Sequence, residues 1–239
     1  MMAHMRNAFV AAGVLAGLIA ACAPQVSRVP EAESLAPAKY PEAYYREVAA
    51  RGSPVFRVDP ASSLVVILVR RGGSLARLGH DHVVASHDVQ GLVAPGEGRS
   101  DLYVALDRLV VDEPALRAEA KLDTQPTEED IAGTRRNMLN TLQANEFPFA
   151  LVNIARGDVD GAGTELSVTI TLHGTSRTMR VPVQIDVATD EVRVAGGLSL
   201  RQTDFGIKPL SVLGGAVQVQ DLVDLRFRIR ALRILQVAH

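Results

Sequence analysis

The chain has 239 residues, enough for one large β domain or two small ones. Its net charge is −2 and its basic and acidic residues are interspersed, which argues against a nucleic-acid-binding surface. Hydrophobic residues make up 47 % of the chain, aromatic residues make up 4 %, and tryptophan is absent, so we expect an aliphatic core and no large stacking platforms for bases.

The first 21 residues are typical of a lipoprotein signal peptide. Met1–Arg6 carries one positive charge, and residues 8–21 are small and apolar but too few to span a bilayer comfortably. Ile19-Ala20-Ala21-Cys22 resembles the lipobox of bacterial lipoproteins, in which the signal is cut before a cysteine that then carries the lipid. The alternative is an ordinary secretory signal with an incidental cysteine. Ala23 in place of Asp favours, by resemblance to enterobacterial sorting, the outer membrane.

Residues 22–54 are interpreted as a tether between the lipid and a folded domain. Residues 23–37 are rich in Pro, Ala, Ser and Glu and show no periodicity. Residues 40–51 predict a short amphipathic helix, whose tyrosines either pack on the domain or contact the membrane interface. Cys22 is the only cysteine, so an intramolecular disulfide is excluded.

Residues 55–233 predict an all-β domain, a closed or nearly closed antiparallel barrel of about eight strands. Alternation of apolar and polar residues recurs from strand to strand, and the connections are mostly short. Ser63–Arg70 is apolar on both faces, so this strand is either covered on both sides or a part of the wall that runs from the rim to the core. We interpret residues 112–130 as an irregular excursion. Thr127-Glu128-Glu129-Asp130 resembles an N-terminal capping arrangement and predicts the start of one inserted helix over about 128–143.

The last strand alternates over Val217–Ile229 and follows a tight corner at 202–210. Asp221 breaks its apolar face, which predicts a nearby mouth, bulge or buried partner. The predicted inward-facing residues of this strand are Val217, Val219, Val223, Leu225, Phe227 and Ile229.

Five motifs occur in an order that resembles the YceI-like family, the polyisoprenoid-binding periplasmic proteins, over roughly Val55–Ala231. The motifs are Phe56-Arg57-Val58-Asp59-Pro60 before SSLVVILV, Gly79-His80-Asp81-His82, Glu146-Phe147-Pro148-Phe149, Leu172–Arg177, and Gln202–Pro209 followed by Val219-Gln220-Asp221.

This resemblance implies a lipocalin-like, eight-stranded antiparallel barrel with an apolar interior. It also implies a ligand with a long isoprenoid chain, such as a quinone-type lipid or a polyprenyl phosphate, held without any other cofactor. The family has no agreed enzymatic activity. With the predicted anchor, the expected protein is a lipid-binding lipoprotein on the periplasmic side of the bacterial cell envelope. The alternative for the aliphatic faces is a solid core filled by its own side chains.

The residues we expect to contact an amphiphilic lipid are wall residues and a few polar groups. Val219, Leu225 and Phe227 represent the wall, and Lys208 could face an anionic head-group. His80 and His82 are a third kind of candidate for head-group contact.

The His80-Asp81-His82 segment has two further interpretations. In an extended chain, His80 and His82 point to the same side and predict a zinc or copper site, with His87 or His173 nearby. Alternatively, they are rim residues hydrogen-bonded to backbone and carboxylates, with Asp81 as a neighbouring support. No nucleophile and base occur at a recognisable spacing, so we predict no catalytic residues and no enzyme.

Overall fold

Twelve strand segments close into one antiparallel barrel in the computed structural model, which describes residues 36–155 and 165–234. The strands are β1 Phe56–Val58, β2 Leu64–Gly72, β3 His82–Ser86, β4 Val89–Ala94, β5 Arg99–Ala105, β6 Val110–Val111, β7 Phe149–Ile154, β8 Glu165–Leu172, β9 Thr175–Val187, β10 Glu191–Arg201, β11 Ser211–Val212 and β12 Val217–Arg233. The helices are α1 Glu42–Ala50, α2 Pro114–Glu119 and α3 Glu128–Thr141.

The barrel closes because β12 pairs with β10 on one edge and with β1 and β2 on the other. β1 and β2 follow each other along that second edge, separated by a turn at Pro60–Ser62. β3 and β4 likewise follow each other along one position of the barrel with an interruption between them, and so do β5 and β6. These three interrupted pairs and β7, β8, β9, β10 and β12 occupy eight positions around the barrel, which confirms the predicted fold.

Both faces of β2 are partly covered, because all of its residues from Leu64 to Gly72 are half-buried. Val83 and Ala85 of the neighbouring β3 point outward and are each only 1 % exposed, because α2 lies against β3. The expectation that residues 112–130 are wholly irregular is therefore wrong. Pro114 occupies the first turn of α2, where its missing N–H costs nothing and its fixed φ suits a helix.

α3 lies between β6 and β7 and confirms the predicted inserted helix. Thr127 and Asp130 form a reciprocal capping box at its N-terminus, so two otherwise unpaired backbone N–H groups are satisfied. The helix predicted over 40–51 corresponds to α1. Tyr45 and Val48 of α1 are buried against the barrel wall, so at least these side chains pack on the domain.

The corner before β12 closes one end of the barrel. Gln202–Phe205 forms one turn of 3₁₀ helix, and Gly206 ends it at φ 73°, a conformation that favours glycine. Phe205 and Ile207 are buried in the core at this end. Asp221 lies at a β-bulge in β12, where its carboxylate accepts hydrogen bonds from the N–H and hydroxyl of Thr203 at 2.8 and 2.7 Å. The bulge is one of the settings predicted for Asp221.

The predicted signal peptide, Cys22 and most of the tether lie outside the described residues. Within residues 36–155 and 165–234, no helix is long and apolar enough to cross a membrane.

Candidate functional site

The barrel encloses a cavity of about 900 Å³. Side chains that point inward from β2, β4, β5, β7, β8, β9, β10 and β12 line it, and most of them are Val, Leu or Ile. A representative set is Val65, Leu102, Val152, Val168, Val183 and Val194. The volume is near the upper end of typical ligand pockets, roughly 300–1,000 Å³. The interior is therefore an apolar chamber and not a solid core.

A glycine that faces the interior of the barrel, Gly196 of β10, leaves room for larger neighbours. Gly196 lies opposite Phe227 of β12 and Val183 of β9. A Cβ atom on Gly196 would be 2.8 Å from Cζ of Phe227 and 2.7 Å from the carbonyl oxygen of Pro182. The Phe227 ring can therefore lie across the cavity wall only because residue 196 has no side chain.

The two ends of the chamber differ. Leu200, Phe205, Ile207 and Val223 form a buried cluster at one end and close it. At the other end the lining includes Pro95 and Gly98 of the β4–β5 turn and Val187 of β9. Val187 is 56 % exposed although it lines the cavity, so the chamber opens to solvent there. We call this end the mouth.

Few residues of the lining carry polar side chains. They are Arg99 and Ser100, at the start of β5, and Tyr103, further along the same strand. Nε of Arg99 donates to Asp101 Oδ2 at 2.8 Å, and its guanidinium lies 4.3 Å from the centroid of the Tyr44 ring. Arg99 is thus already held by protein groups, and the inner part of the chamber presents almost only hydrocarbon.

The predicted site residues fall into two groups. Leu225 and Phe227 line the chamber. Val219 lies beyond the β-bulge, where its N–H donates to the carbonyl of Leu210, and Lys208 is exposed on the closed end. His80 and His82 also lie away from the lining.

The site residues predicted from the sequence include none from β4, β5 and β7 to β10. The same alternation that identified the inward face of β12 was present in these strands. Register and closure decide how far along each strand the chamber extends, and neither can be read from alternation.

The histidines belong to a separate polar cluster outside the chamber. Nδ1 of His82 is 2.6 Å from Asp112 Oδ2, and Arg117 donates to Asp112 Oδ1 at 2.5 Å. The N–H of Val83 donates to the same oxygen at 3.1 Å. Burial alone would raise the pKa of Asp112, but these hydrogen bonds and the adjacent cationic groups outweigh it and hold that pKa below its ordinary value.

Asp81, one of the supports considered for the histidines, is bonded elsewhere in the described structure. Its carboxylate accepts from Arg70 at 3.0 Å and from the N–H of Arg71 at 2.9 Å, because it joins the ends of β2 and β3. His87 also stays apart, 2.8 Å from Glu113. In the part of the chain that the structure describes, no three His, Cys, Asp or Glu side chains are arranged to hold a metal ion.

The comparisons with known proteins agree with this architecture. The family model described as "YceI-like domain" matches residues 56–231. No curated protein matches the chain significantly in sequence.

Several solved structures resemble this one. A polyisoprenoid-binding domain from Saccharophagus degradans, described as implicated in plant cell wall breakdown, has a TM-score of 0.52 and 14 % identity, and the alignment covers 75 % of this chain and 98 % of that chain. BcnA of Burkholderia cenocepacia has a TM-score of 0.49 and 15 % identity, with 72 % and 98 % covered. The Campylobacter jejuni YCEI protein has a TM-score of 0.39 and 11 % identity, with 62 % and 82 % covered.

At these identities, the likeness to the Saccharophagus domain shows the fold alone. The family match spans β1 to β12, the same strands that close the barrel around its apolar chamber. The chain belongs to the YceI-like domain family.

Proposed function

We propose that this protein binds or carries an isoprenoid or similar amphiphilic lipid inside the barrel, with the hydrocarbon chain in the chamber and the polar head at the mouth. The observation that carries the proposal is an apolar chamber of about 900 Å³ that is closed at one end and open at the other. A hydrocarbon chain offers no hydrogen bonds, so its binding depends on burial, worth about 25 cal/mol per Å² of apolar surface removed from water. The chamber suits that requirement, since most of the side chains that line it are aliphatic.

Family membership supports the same ligand class. The Saccharophagus degradans domain is described as polyisoprenoid-binding. We propose that the present chain acts as a binding protein and not as an enzyme, and that it needs no cofactor other than the bound lipid.

Lipid extraction from the purified protein, followed by mass spectrometry, tests the proposal directly. We expect an isoprenoid or similar lipid in about equimolar amount from the parent protein. Val168→Phe should reduce the yield, because residue 168 points into the chamber. Thr169→Phe is the matched control, since Thr169 points outward and pairs with Thr178. A parent protein that neither retains nor takes up any lipid would contradict the proposal, as would equal retention by Val168→Phe and Thr169→Phe.

We further propose that Cys22 carries a lipid anchor and that the domain lies on the periplasmic side of the envelope, at the outer membrane. The support is the lipobox-like Ile19-Ala20-Ala21-Cys22 at the end of an apolar segment. Cys22→Ser should release the protein from the membrane fraction of the producing bacterium. Metabolic labelling with a fatty acid should mark the parent protein and not the variant; an unlabelled parent would contradict the anchor.

Zinc or copper binding at His80 and His82 is a second candidate function. One observation favours it: Nδ1 of His82 is held by Asp112, the kind of carboxylate contact that orients metal-binding imidazoles. The two rings are 6.1 Å apart between centroids. Two imidazoles supply only half of the ligands that zinc takes in structural sites, so we rank this candidate second. Calorimetric titration with Zn²⁺ and Cu²⁺ should give heat that a His80→Ala/His82→Ala variant loses; no heat from the parent would end this candidate.

A further inference from the structure

Two loops at the closed end of the barrel carry exposed aliphatic side chains. They are residues 73–79, between β2 and β3, and residues 208–216, before β12, and together we call them the closed-end tip. The N–H of Leu75 donates to the carbonyl of Ala216 at 2.7 Å, so the loops lie against each other. The exposed side chains of the tip are Leu213 at 71 %, Leu78 at 60 %, Val212 at 46 % and Leu210 at 37 %.

The charges of the tip have one sign. Arg77 lies in the first loop and Lys208 in the second, and neither loop contains Asp or Glu. Within the described residues, neither Arg77 nor Lys208 forms an ion pair. The tip therefore combines protruding aliphatic groups with free cations, which is complementary to a surface that is apolar inside and negatively charged outside.

Leu213 is an unusual residue for its backbone conformation. Its φ is 51°, and it is followed by Gly214 at φ 64° and Gly215 at φ 93°. Left-handed backbone is disfavoured for leucine, whereas Gly or Asn adopts it readily. Its side chain is 71 % exposed, so packing within the chain does not compensate for this conformation. Strained backbone of this kind clusters at functional sites, so the conformation of Leu213 points to a role for the tip.

We propose that the closed-end tip docks onto a lipid bilayer with anionic head-groups. The aliphatic side chains enter the interfacial region, and Arg77 and Lys208 contact the phosphates. A bilayer moulds itself around a protruding tip of two short loops, whereas a stable protein interface needs about 800 Å² of matched surface on each partner.

This docking surface is at the opposite end of the barrel from the mouth. β12 runs from Val217 beside the tip to Ala231, which lines the chamber, and Val223 of the closing cluster lies between them. Docking and lipid loading thus use different residues, and either proposal can fail without the other.

A tryptophan reporter tests the docking proposal, because the chain contains no tryptophan of its own. Full-length Leu213→Trp is mixed with vesicles of phosphatidylglycerol and phosphatidylcholine in equal amounts. We expect the emission to move to shorter wavelength and to be quenched by lipids brominated on their acyl chains. Val110→Trp is the matched control, at a valine that is 39 % exposed on β6, and its emission should not change.

Charge removal separates specific docking from attachment through the N-terminal segment. Adding Arg77→Gln and Lys208→Gln to Leu213→Trp should weaken the response to these vesicles by roughly tenfold or more, and little response should remain with pure phosphatidylcholine. Leu78→Trp provides a second reporter on the other loop if Leu213→Trp does not fold.

Two results would overturn the proposal. One is unchanged tryptophan emission in a chain that still sediments with the vesicles. The other is a spectral shift that follows protein concentration without vesicles, which would assign the tip to contact with a second copy of the chain.

Discussion

Gly196 illustrates how a single missing side chain shapes the chamber. Its inward Cβ position is taken by the Phe227 ring and by the carbonyl of Pro182. Phe227 is the largest side chain contributed by β12 to the chamber wall. The glycine thus makes space for the one aromatic ring on this strand.

Gly196→Ala should lower the free energy of unfolding by about 1–3 kcal/mol, because overpacking forces the ring or the backbone to move. The reduced entropy of the unfolded chain offsets only about 0.4–1 kcal/mol of this cost. Urea unfolding measures the change. Gly96→Ala is the control, since a Cβ there meets nothing within 4 Å, and equal stability of the two variants would refute the steric argument.

Asp112 is the residue on which the histidine cluster depends. Its side chain is completely buried and accepts hydrogen bonds from Arg117 and Val83 while contacting His82. Its φ of 59° is left-handed, a conformation that Asp and Asn tolerate better than most residues. Asp112→Asn therefore removes the charge without forcing a new backbone.

Asp112→Asn should cost about 3–5 kcal/mol of stability at neutral pH, since it leaves the guanidinium of Arg117 buried without its carboxylate. The pKa of Asp112 is lowered by folding, so its stabilisation is present above the ordinary pKa and is lost as the pH falls through the lower folded value. The difference between parent and variant should shrink below about pH 4. Urea unfolding across this range measures it; a difference that does not depend on pH would contradict the prediction.

Asp123→Asn is the control for Asp112→Asn. Asp123 is exposed and bonded to Arg71 at 2.7 Å, and surface ion pairs contribute little. We expect only a small change in stability.

At the scale of elements, α1 is attached to the barrel through Asp101 of β5. The hydroxyl of Tyr45 donates to Asp101 Oδ2 at 2.6 Å, and Asn153 of β7 donates to Oδ1 at 2.6 Å. Burial, and then the Asp101 carboxylate, raise the pKa of the Tyr45 phenol well above its ordinary value, so the phenol remains a donor at working pH. A polar network thus fixes the helix that lies beside the mouth.

Asp101→Ala should lower the free energy of unfolding by about 2–3 kcal/mol, because three donors lose a charged acceptor. It should also let trypsin cleave after Arg46 and Arg51, whose side chains are already exposed, because the backbone in and just after α1 would open. Tyr45→Phe removes one donor only and should cost less. Limited proteolysis followed by mass spectrometry checks the expected order; protection of both arginines in Asp101→Ala would show that α1 does not depend on this network.

At the scale of the whole molecule, the chamber links ligand binding to stability. A ligand that binds only the folded barrel stabilises it by mass action, by about 2.7 kcal/mol at 100 times its Kd. We expect this increase for the parent protein with a long-chain isoprenoid alcohol. Val168→Phe should show much less of it, while Thr169→Phe should respond like the parent. Urea unfolding with and without the alcohol measures the effect, and an equal response from both variants would exclude the chamber as the site.

Several features were determined by the sequence alone, because they depend on local physics. Alternation identified the inward faces of the long strands, since successive side chains of a strand point to opposite sides. The capping box predicted the start of α3, and Asp221 in an apolar row predicted a discontinuity in β12. The ordered motifs indicated the family, which the match over 56–231 confirms.

Other features were decided only by the tertiary structure, because they depend on pairing between distant residues. The interruption at Pro60–Ser62 reads as a boundary between two strands, yet β1 and β2 share one edge of β12. His82 meets Asp112 and not its neighbour Asp81, because β3 pairs with β6, which ends immediately before Asp112. Leu225 reaches the chamber, whereas Val219, on the same predicted face, does not. The β-bulge and the buried cluster that closes the chamber, which includes Phe205, lie between the two residues. Alternation determines which way a side chain points, whereas closure of the barrel determines what it points into.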